Sequence, residues 1–558
     1  MDLSLIEHQP QRVLEDFRRG EFDQIEIIGE ADEKEFFELC FREKILDALS
    51  ESMPTEREKR EVPLWFILAA NLSLKLHLAT SFLAWERVVQ CGGLLSALDP
   101  KIASKQLDPQ TKAIWIQCQG FNEKNRYQRT TPCDQDTLRK ALKDVRAERW
   151  LGWFNTPVQQ VIQRYGFFDP AGVFIGDGSY LFVPDNPAYE GSAVMWFDEH
   201  NHPVDYEKLG PEERKKAHRE RCYKWVSLLH VRQGCYVYAA AALVAGNAHE
   251  APVFFRLVEQ FVQAVGPGVI KLLILDRGFI DGKNISRCKT EFGIDVLIPI
   301  KKKMDIGIDA WALAAREKWQ AIPVNPPPLP APPAVRPADL QRREQKRQAT
   351  LAARKAAPDP ATVQTQTEYC AISGFTSWTE ATVPLNVLLM RERYADGHAQ
   401  EWGLITTRAY SRLQQPREDY QLRTDIEERH RQLKCFYDLT RFSSRQFSAI
   451  AAQLVMVLLS YTLRQWQLWK QHQQALAGRS PERMRRRLNL RRQYIVIYHE
   501  RSYTELPLVQ FTRELLELGP EARTKALAKV QQLEQSMLYP EPQPRIVNRR
   551  RPSAEDTS

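Results

Sequence analysis

Tyr420–Lys434 reads YQLRTDIEERHRQLK. Tyr420, Arg423, Glu427 and Lys434 follow one another at intervals of three, four and seven, which at 3.6 residues per turn puts them on one stripe of a helix. Leu422, Ile426 and Leu433 form a neighbouring apolar stripe, so the helix has one side to bury and an adjacent side for chemistry. A carboxylate flanked by two cations and a phenol suits a site that holds a metal ion and a phosphodiester together. The plainer alternative is an i,i+4 Arg423–Glu427 pair on a solvated face.

Outward from this stretch, two apolar runs each deliver an aspartate. AGVFIGDGSYLFV carries Asp177 within Val173–Val183, and KLLILDRGFIDG carries Asp276 straight after Leu272–Leu275. Short β-rich runs bounded by glycine read as buried strands, and Gly176, Gly178 and Gly278 let backbone or ligand come close. Burying an aspartate in such a strand is costly unless it is paired or binds a metal. A turn cap at the strand end is the competing reading, stronger for Asp276 than for Asp177. Taken together, two strand aspartates and a helical glutamate form a hard-oxygen set for two Mg²⁺ ions, with Mn²⁺ able to substitute.

These segments resemble the DDE transposases of bacterial insertion sequences, in the branch marked by a Y-x2-R-x3-E-x6-K signature. Tyr420, Arg423, Glu427 and Lys434 match it at every spacing. IGDGSYL and LLILDRGF resemble the two aspartate motifs, and WGLITT (402–407) resembles the segment before the glutamate helix. The resemblance covers roughly residues 170–470. It implies an α/β fold: a ribonuclease H-like catalytic core interrupted by a mostly β insertion domain, with helical N-terminal and C-terminal regions. It implies Asp177, Asp276 and Glu427 as catalytic and metal-binding residues, and Tyr420, Arg423 and Lys434 as contacts to DNA phosphates. Arg431, one turn before Lys434, joins them, and Lys301 in the run Lys301–Lys303 is a further candidate against an ordinary solvated charge run. Glu428 is the rival third carboxylate, but it sits about 100° round the helix and breaks the signature.

The implied activity is cut-and-paste transposition: hydrolysis at the element end, then attack by the freed 3′-hydroxyl across the duplex or on target DNA. The implied partners are double-stranded DNA (terminal inverted repeats and target) and a second copy of the chain on paired ends. Three other classes stay open: a decayed or co-opted end-binding protein, a stand-alone Mg²⁺-dependent nuclease, and an aspartyl-phosphate phosphatase. The last lacks the usual second aspartate two positions after Asp177.

Asp177 and Asp276 are 99 residues apart, and Asp276 and Glu427 are 151 apart, more than a single α/β connection needs. The expected layout is therefore two core halves at 165–300 and 401–475 around an insertion at 301–400. The resemblance implies that the helical region at 1–150 binds the element ends and that the basic C-terminal region at 476–558 serves dimerisation. Strands are expected at Phe292–Ile300, Tyr369–Trp378, Val383–Glu392 and Trp402–Thr407, with a linker at 323–366 containing the Pro323–Pro337 run and the basic stretch Leu340–Lys355. The resemblance also implies a tryptophan in the insertion that stacks on an extruded base; Trp311, Trp319, Trp378 and Trp402 are the candidates, each with a competing and stronger reading as an ordinary core or surface aromatic.

Composition agrees. A chain of 558 residues exceeds one ordinary core, and a net charge of +8 is mild for a nucleic-acid binder, so distribution matters more. Seven arginines fall in Arg479–Arg492, and Arg545 and Arg549–Arg551 follow in the tail. Nine scattered cysteines without a CxxC pair suggest reduced thiols and a cytoplasmic, nucleoid-associated protein. The N-terminal apolar stretch has a longest charge-free run of 13 residues, Val62–Leu74, short of the ~20 that span a bilayer. No membrane partner is expected. Glu33–Leu49, Leu64–Leu83, Thr137–Ala147, Phe447–Trp469 and Pro520–Leu538 carry helical spacing, and YIVIY (494–498) reads as a strand.

Overall fold

A computed structural model describes residues 4–323, 364–479 and 494–538, apart from residues 6, 29–30, 59–60, 80, 86–87, 90–92, 99–102, 108–113, 119–120, 122–130, 233, 302 and 438. The proline run after Pro323, the basic stretch Leu340–Lys355, residues 480–492 of the arginine run and the C-terminal arginines lie outside the described residues. The chain divides into two compact units. Residues 1–46, 57–140 and 480–558 form one, and residues 47–56 and 141–479 the other.

The larger unit is mixed α/β around one 11-stranded sheet. Its strands are β1 (Gly172–Val183), β2 (Ala193–Phe197), β3 (Pro203–Val204), β4 (His218–Arg232), β5 (Cys235–Ala245), β6 (Ile270–Ile274), β7 (Asp295–Pro299), β8 (Gln320–Pro323), β9 (Gln364–Phe375), β10 (Leu385–Tyr394) and β11 (Ala399–Thr406). The order runs β8-β9-β10-β11-β7-β6-β1-β4-β2-β3, with β5 also paired to β4. β6 runs parallel to both β1 and β7, and the other pairings are antiparallel. The central strands are apolar on both faces because helices cover them: β7 is buried at every position and β5 at most. Four strands between Asp276 and Glu427, β8 to β11, extend this same sheet instead of building a sheet of their own.

Three helices frame the site: α1 (Glu250–Val265), α2 (Gly282–Phe292) and the later α3 (Arg423–Phe436). The following α4 (Phe447–Lys470) is long and apolar enough to cross a membrane, but 83% of its most apolar window is buried inside the protein. It packs on β5, where Thr462 and Gln465 side chains accept from the Tyr238 and Tyr236 amides. Those polar positions on an otherwise apolar helix satisfy backbone donors that no neighbouring strand reaches.

In the smaller unit, segments from the two ends of the chain share one core. Strands Gln24–Ile28, Tyr494–His499, Ser502–Pro507 and Glu7–His8 form a four-stranded sheet. Val13, Phe17, Phe22 and Ile25 pack with Ile495, Ile497, Leu506 and Phe511 beneath it. The expectation of a helical N-terminal region is corrected here: strands stand at Gln24–Ile28, Ala103–Leu107 and Ile114–Cys118 among its helices. The β-branched stretch QIEII pairs with YIVIY, a partner some 470 residues away that no local pattern announces.

Candidate active site

β1 and β6 are neighbouring parallel strands in which Ile175 faces Ile274. Asp177 and Asp276 each stand two residues beyond that pair, so the 99-residue separation in sequence equals the register offset of the strands. Adjacent strands lie about 4.8 Å apart and side chains repeat every second residue, so the aspartates stand side by side on one face. Asp276 occupies the cap position of a short turn (Arg277–Phe279), yet its side chain makes no cap hydrogen bond. Its carboxylate is thus left to the site.

The signature segment is not one uninterrupted helix, which corrects the single-stripe expectation. Gln415–Gln421 forms a first helix, Leu422 takes a tight turn, and α3 begins at Arg423. The Leu422 amide bonds to Asp419 and the Asp425 amide to Leu422, i to i+3 bonds that tighten the chain there. Tyr420 therefore precedes the break, and its ring lies 6.1 Å from that of Trp402. Among the four candidate tryptophans, Trp402 is the one packed against a signature residue. Trp311 and Trp319 stack on each other instead.

α3 lies against β1. Lys434 Nζ donates to Ser179 Oγ at 2.6 Å, and Arg423 Nη1 is 3.9 Å from Asp177 Oδ1. Arg423 also donates to Glu427, whose side chain is half exposed. Burial works against the Arg423 charge, but Asp276, Tyr420, Glu427 and Asp177 outweigh it and raise its pKa. One guanidinium thus feels all three carboxylates. Burial pushes the Tyr420 phenol up to about 12, and burial pulls the Lys434 amine down although Asp177 opposes this. A phosphate beside Lys434 would supply the counter-charge that burial denies it.

The remaining candidates sit apart. Arg431 is exposed and forms a two-bond pair with Glu428, which also accepts from Gln432. Those hydrogen bonds, that of Arg431 first, pull Glu428 down to about 2. Lys301 is exposed just past β7, and no ion pair or hydrogen bond among the described residues ties its side chain to the aspartates.

Two residues missed in the sequence reading join the site. Glu250, the first residue of α1, projects between strand β1 at Gly178 and the turn at Gly278. A Cβ added at Gly178 or at Gly278 would collide with one or the other of its carboxylate oxygens. Its pKa is raised by burial first, then by Asp177 and Asp276, against Lys224 whose Nζ is 3.7 Å away. His430 is buried on α3 with Nδ1 3.4 Å from Asp177 Oδ2. Its position three residues after Glu427 and seven after Arg423 was the available signal.

As hard-oxygen donors, Asp177, Asp276 and Glu427 fit divalent cations of the Mg²⁺ kind. The trio of potential ligands among the described residues whose atoms all lie within 4.8 Å of one another is elsewhere: Asp16, Glu21 and His499, where Arg19 and Arg12 already pair with Asp16. Asp177, Asp276 and Glu427 are set more widely, around Arg423.

Residues 190–463 match the family model described as the transposase DDE domain. That span includes Asp276 and Glu427 and begins 13 residues after Asp177. This part of the chain carries a transposase DDE domain. Among solved structures, the chain is similar to a cryo-EM structure of the piggyBac transposase synaptic complex with hairpin DNA. The identity is 10% and the TM-score 0.30, over 64% of this chain and 62% of that one. The match thus spans less than two thirds of that protein. No curated protein matches.

Proposed function

We propose that this transposase cuts and rejoins the ends of an insertion sequence by two-metal phosphoryl transfer, with Asp177, Asp276 and Glu427 as the catalytic carboxylates. The observation that carries the reading is the register of β1 and β6, which sets the two aspartates abreast, while on α3 Glu427 pairs with Arg423, itself 3.9 Å from Asp177. A ribonuclease H-like core is supported by the order β5-β4-β1-β6-β7, three antiparallel strands followed by two parallel additions. Its halves are residues 165–300 and 401–475, and β8 to β10 belong to the inserted part.

The three carboxylates would hold two Mg²⁺ or Mn²⁺ ions, which supply Lewis-acid activation of the attacking and leaving oxygens when bound. Lys434 and Arg423 neutralise non-bridging phosphate oxygens, and Tyr420 beside Trp402 lines the strand path. Arg423 has a second task, holding mutually repelling carboxylates together before cations and DNA arrive. The natural partners are terminal inverted repeats and target DNA. The smaller unit supplies end recognition and pairing of two copies, and the protein works in the cytoplasm at the nucleoid.

Asp177→Asn, Asp276→Asn and Glu427→Gln each abolish Mg²⁺-dependent cleavage of element ends while end binding persists. Full cleavage by any one refutes the assignment. Joined products with a plasmid target separate transposition from simple nuclease action.

A further inference from the structure

His430 carries more of the site than its absence from the signature suggests. Its ring is 3% exposed and packs 4.3 Å from the Trp225 ring. Nε2 lies 2.9 Å from Ser227 Oγ, and Ser227, fully buried on β4, faces Asp177 directly across the β1–β4 ladder. Nδ1 makes no fully aligned hydrogen bond, and the acceptor within its reach is Asp177 Oδ2 at 3.4 Å. An ionised carboxylate only accepts, so Nδ1 must carry hydrogen. In the neutral ring with hydrogen on Nδ1, Nε2 is the acceptor and the Ser227 hydroxyl the donor. The two Asp177 oxygens are thereby divided: Oδ2 faces His430 and Oδ1 faces the open site, where Arg423 stands 3.9 Å away.

We propose that His430 is a positioning residue for Asp177: its Nδ1–H, held in that tautomer by Ser227, fixes Oδ2 and leaves Oδ1 to ligate a divalent cation. This rests on Asp177 being a cation ligand. The chain Ser227–His430–Asp177 links strand β4, helix α3 and strand β1, so it also fixes the helix that carries Glu427 against the strand that carries Asp177.

The test is Mn²⁺ binding to the full-length protein without DNA, followed by electron paramagnetic resonance or calorimetry. His430→Phe keeps a ring against Trp225 and removes both nitrogens. His430→Asn places an amide N–H near the Nδ1 position, whereas His430→Gln places it near Nε2. Loss of an outer partner of a metal ligand costs about 10–100-fold in affinity, so Phe and Gln should weaken Mn²⁺ by that factor while Asn restores most of it. Ser227→Ala, which frees the tautomer, should weaken binding as well and serves if the Phe variant does not fold. A packing role alone predicts the reverse order, with Phe tolerated and Asn poor, and that result overturns the proposal. Asp177→Asn is the control. If the native protein holds no Mn²⁺ that this variant loses, the cation site itself falls. If it does, and both His430→Phe and Ser227→Ala bind like the native chain, only the role of His430 falls.

Discussion

Gly176→Ala tests whether strand β1 is held in place by close backbone packing. Gly176 precedes Asp177 and has an ordinary backbone conformation, so alanine costs nothing in φ. The added Cβ would lie well inside 3.0 Å of two ring carbons of Phe254 and 2.7 Å from Leu275 Cδ2. Phe254 is fully buried, and its retreat is blocked by Phe279, 4.8 Å away between ring centres and itself 1% exposed. Overpacking of this kind costs about 1–3 kcal/mol. For a unit of this size that is a fall in apparent Tm on the order of 1–4 °C. Gly178→Ala is the internal comparison, because its Cβ would meet only the carboxyl end and Cβ of Glu250. A flexible side chain can swing away, so the stability loss there should stay below about 1 kcal/mol. Phe254→Leu removes the colliding ring edge, and a double-mutant cycle with Gly176→Ala should show a compensating coupling of about 1–2 kcal/mol. Urea and thermal unfolding followed by circular dichroism give all the terms. The reasoning is refuted if Gly176→Ala costs no more than Gly178→Ala, or if the pair is additive within about 0.5 kcal/mol.

Other consequences are as direct. Lys434→Met should weaken binding to element-end DNA in Mg²⁺-free buffer and reduce the salt slope of log K by about 1, because one phosphate contact is lost; an unchanged slope across a salt titration would remove Lys434 from the interface. Glu250 has a folded-state pKa above its ordinary 4.5, burial being the main cause. Its contribution to stability is therefore complete below that value and disappears as pH rises through the folded pKa. The Tm of the native chain relative to Glu250→Gln should decline as pH rises above 4.5 and through the folded pKa, and a rising difference would contradict the environment described. Cys435 is exposed, while Cys222 and Cys235 are buried with thiols pushed up to about 11 and Cys288 to about 12. Alkylation of the native protein, mapped by mass spectrometry, should reach Cys435 well before those three.

Local pattern carried the elements a long way. The expected strand Val173–Val183 is observed as Gly172–Val183, and the expected helix Phe447–Trp469 as Phe447–Lys470. Pro520–Leu538 is a helix over the same residues, and each strand expected near 295, 370, 388 and 404 is present with ends shifted by a few positions. Where the expected Leu64–Leu83 helix stops early, at Leu76, Leu78 takes a left-handed φ that closes it. These features depend on side-chain period and turn chemistry within a dozen residues, which the sequence displays directly.

The amino-acid sequence by itself determined which residues carry charge at the signature spacing, which runs become strands and helices, and that two aspartates end up in apolar strands. Only the tertiary structure decided that β1 and β6 pair with a 99-residue offset, that the signature breaks at Leu422, and that Glu250 and His430 reach the same aspartates. It also decided that residues 24–28 and 494–498 share a sheet. The reason is physical: periodicity fixes what each segment is, whereas register and packing partners are set by long-range burial, whose cost and gain exist only once the distant segments meet.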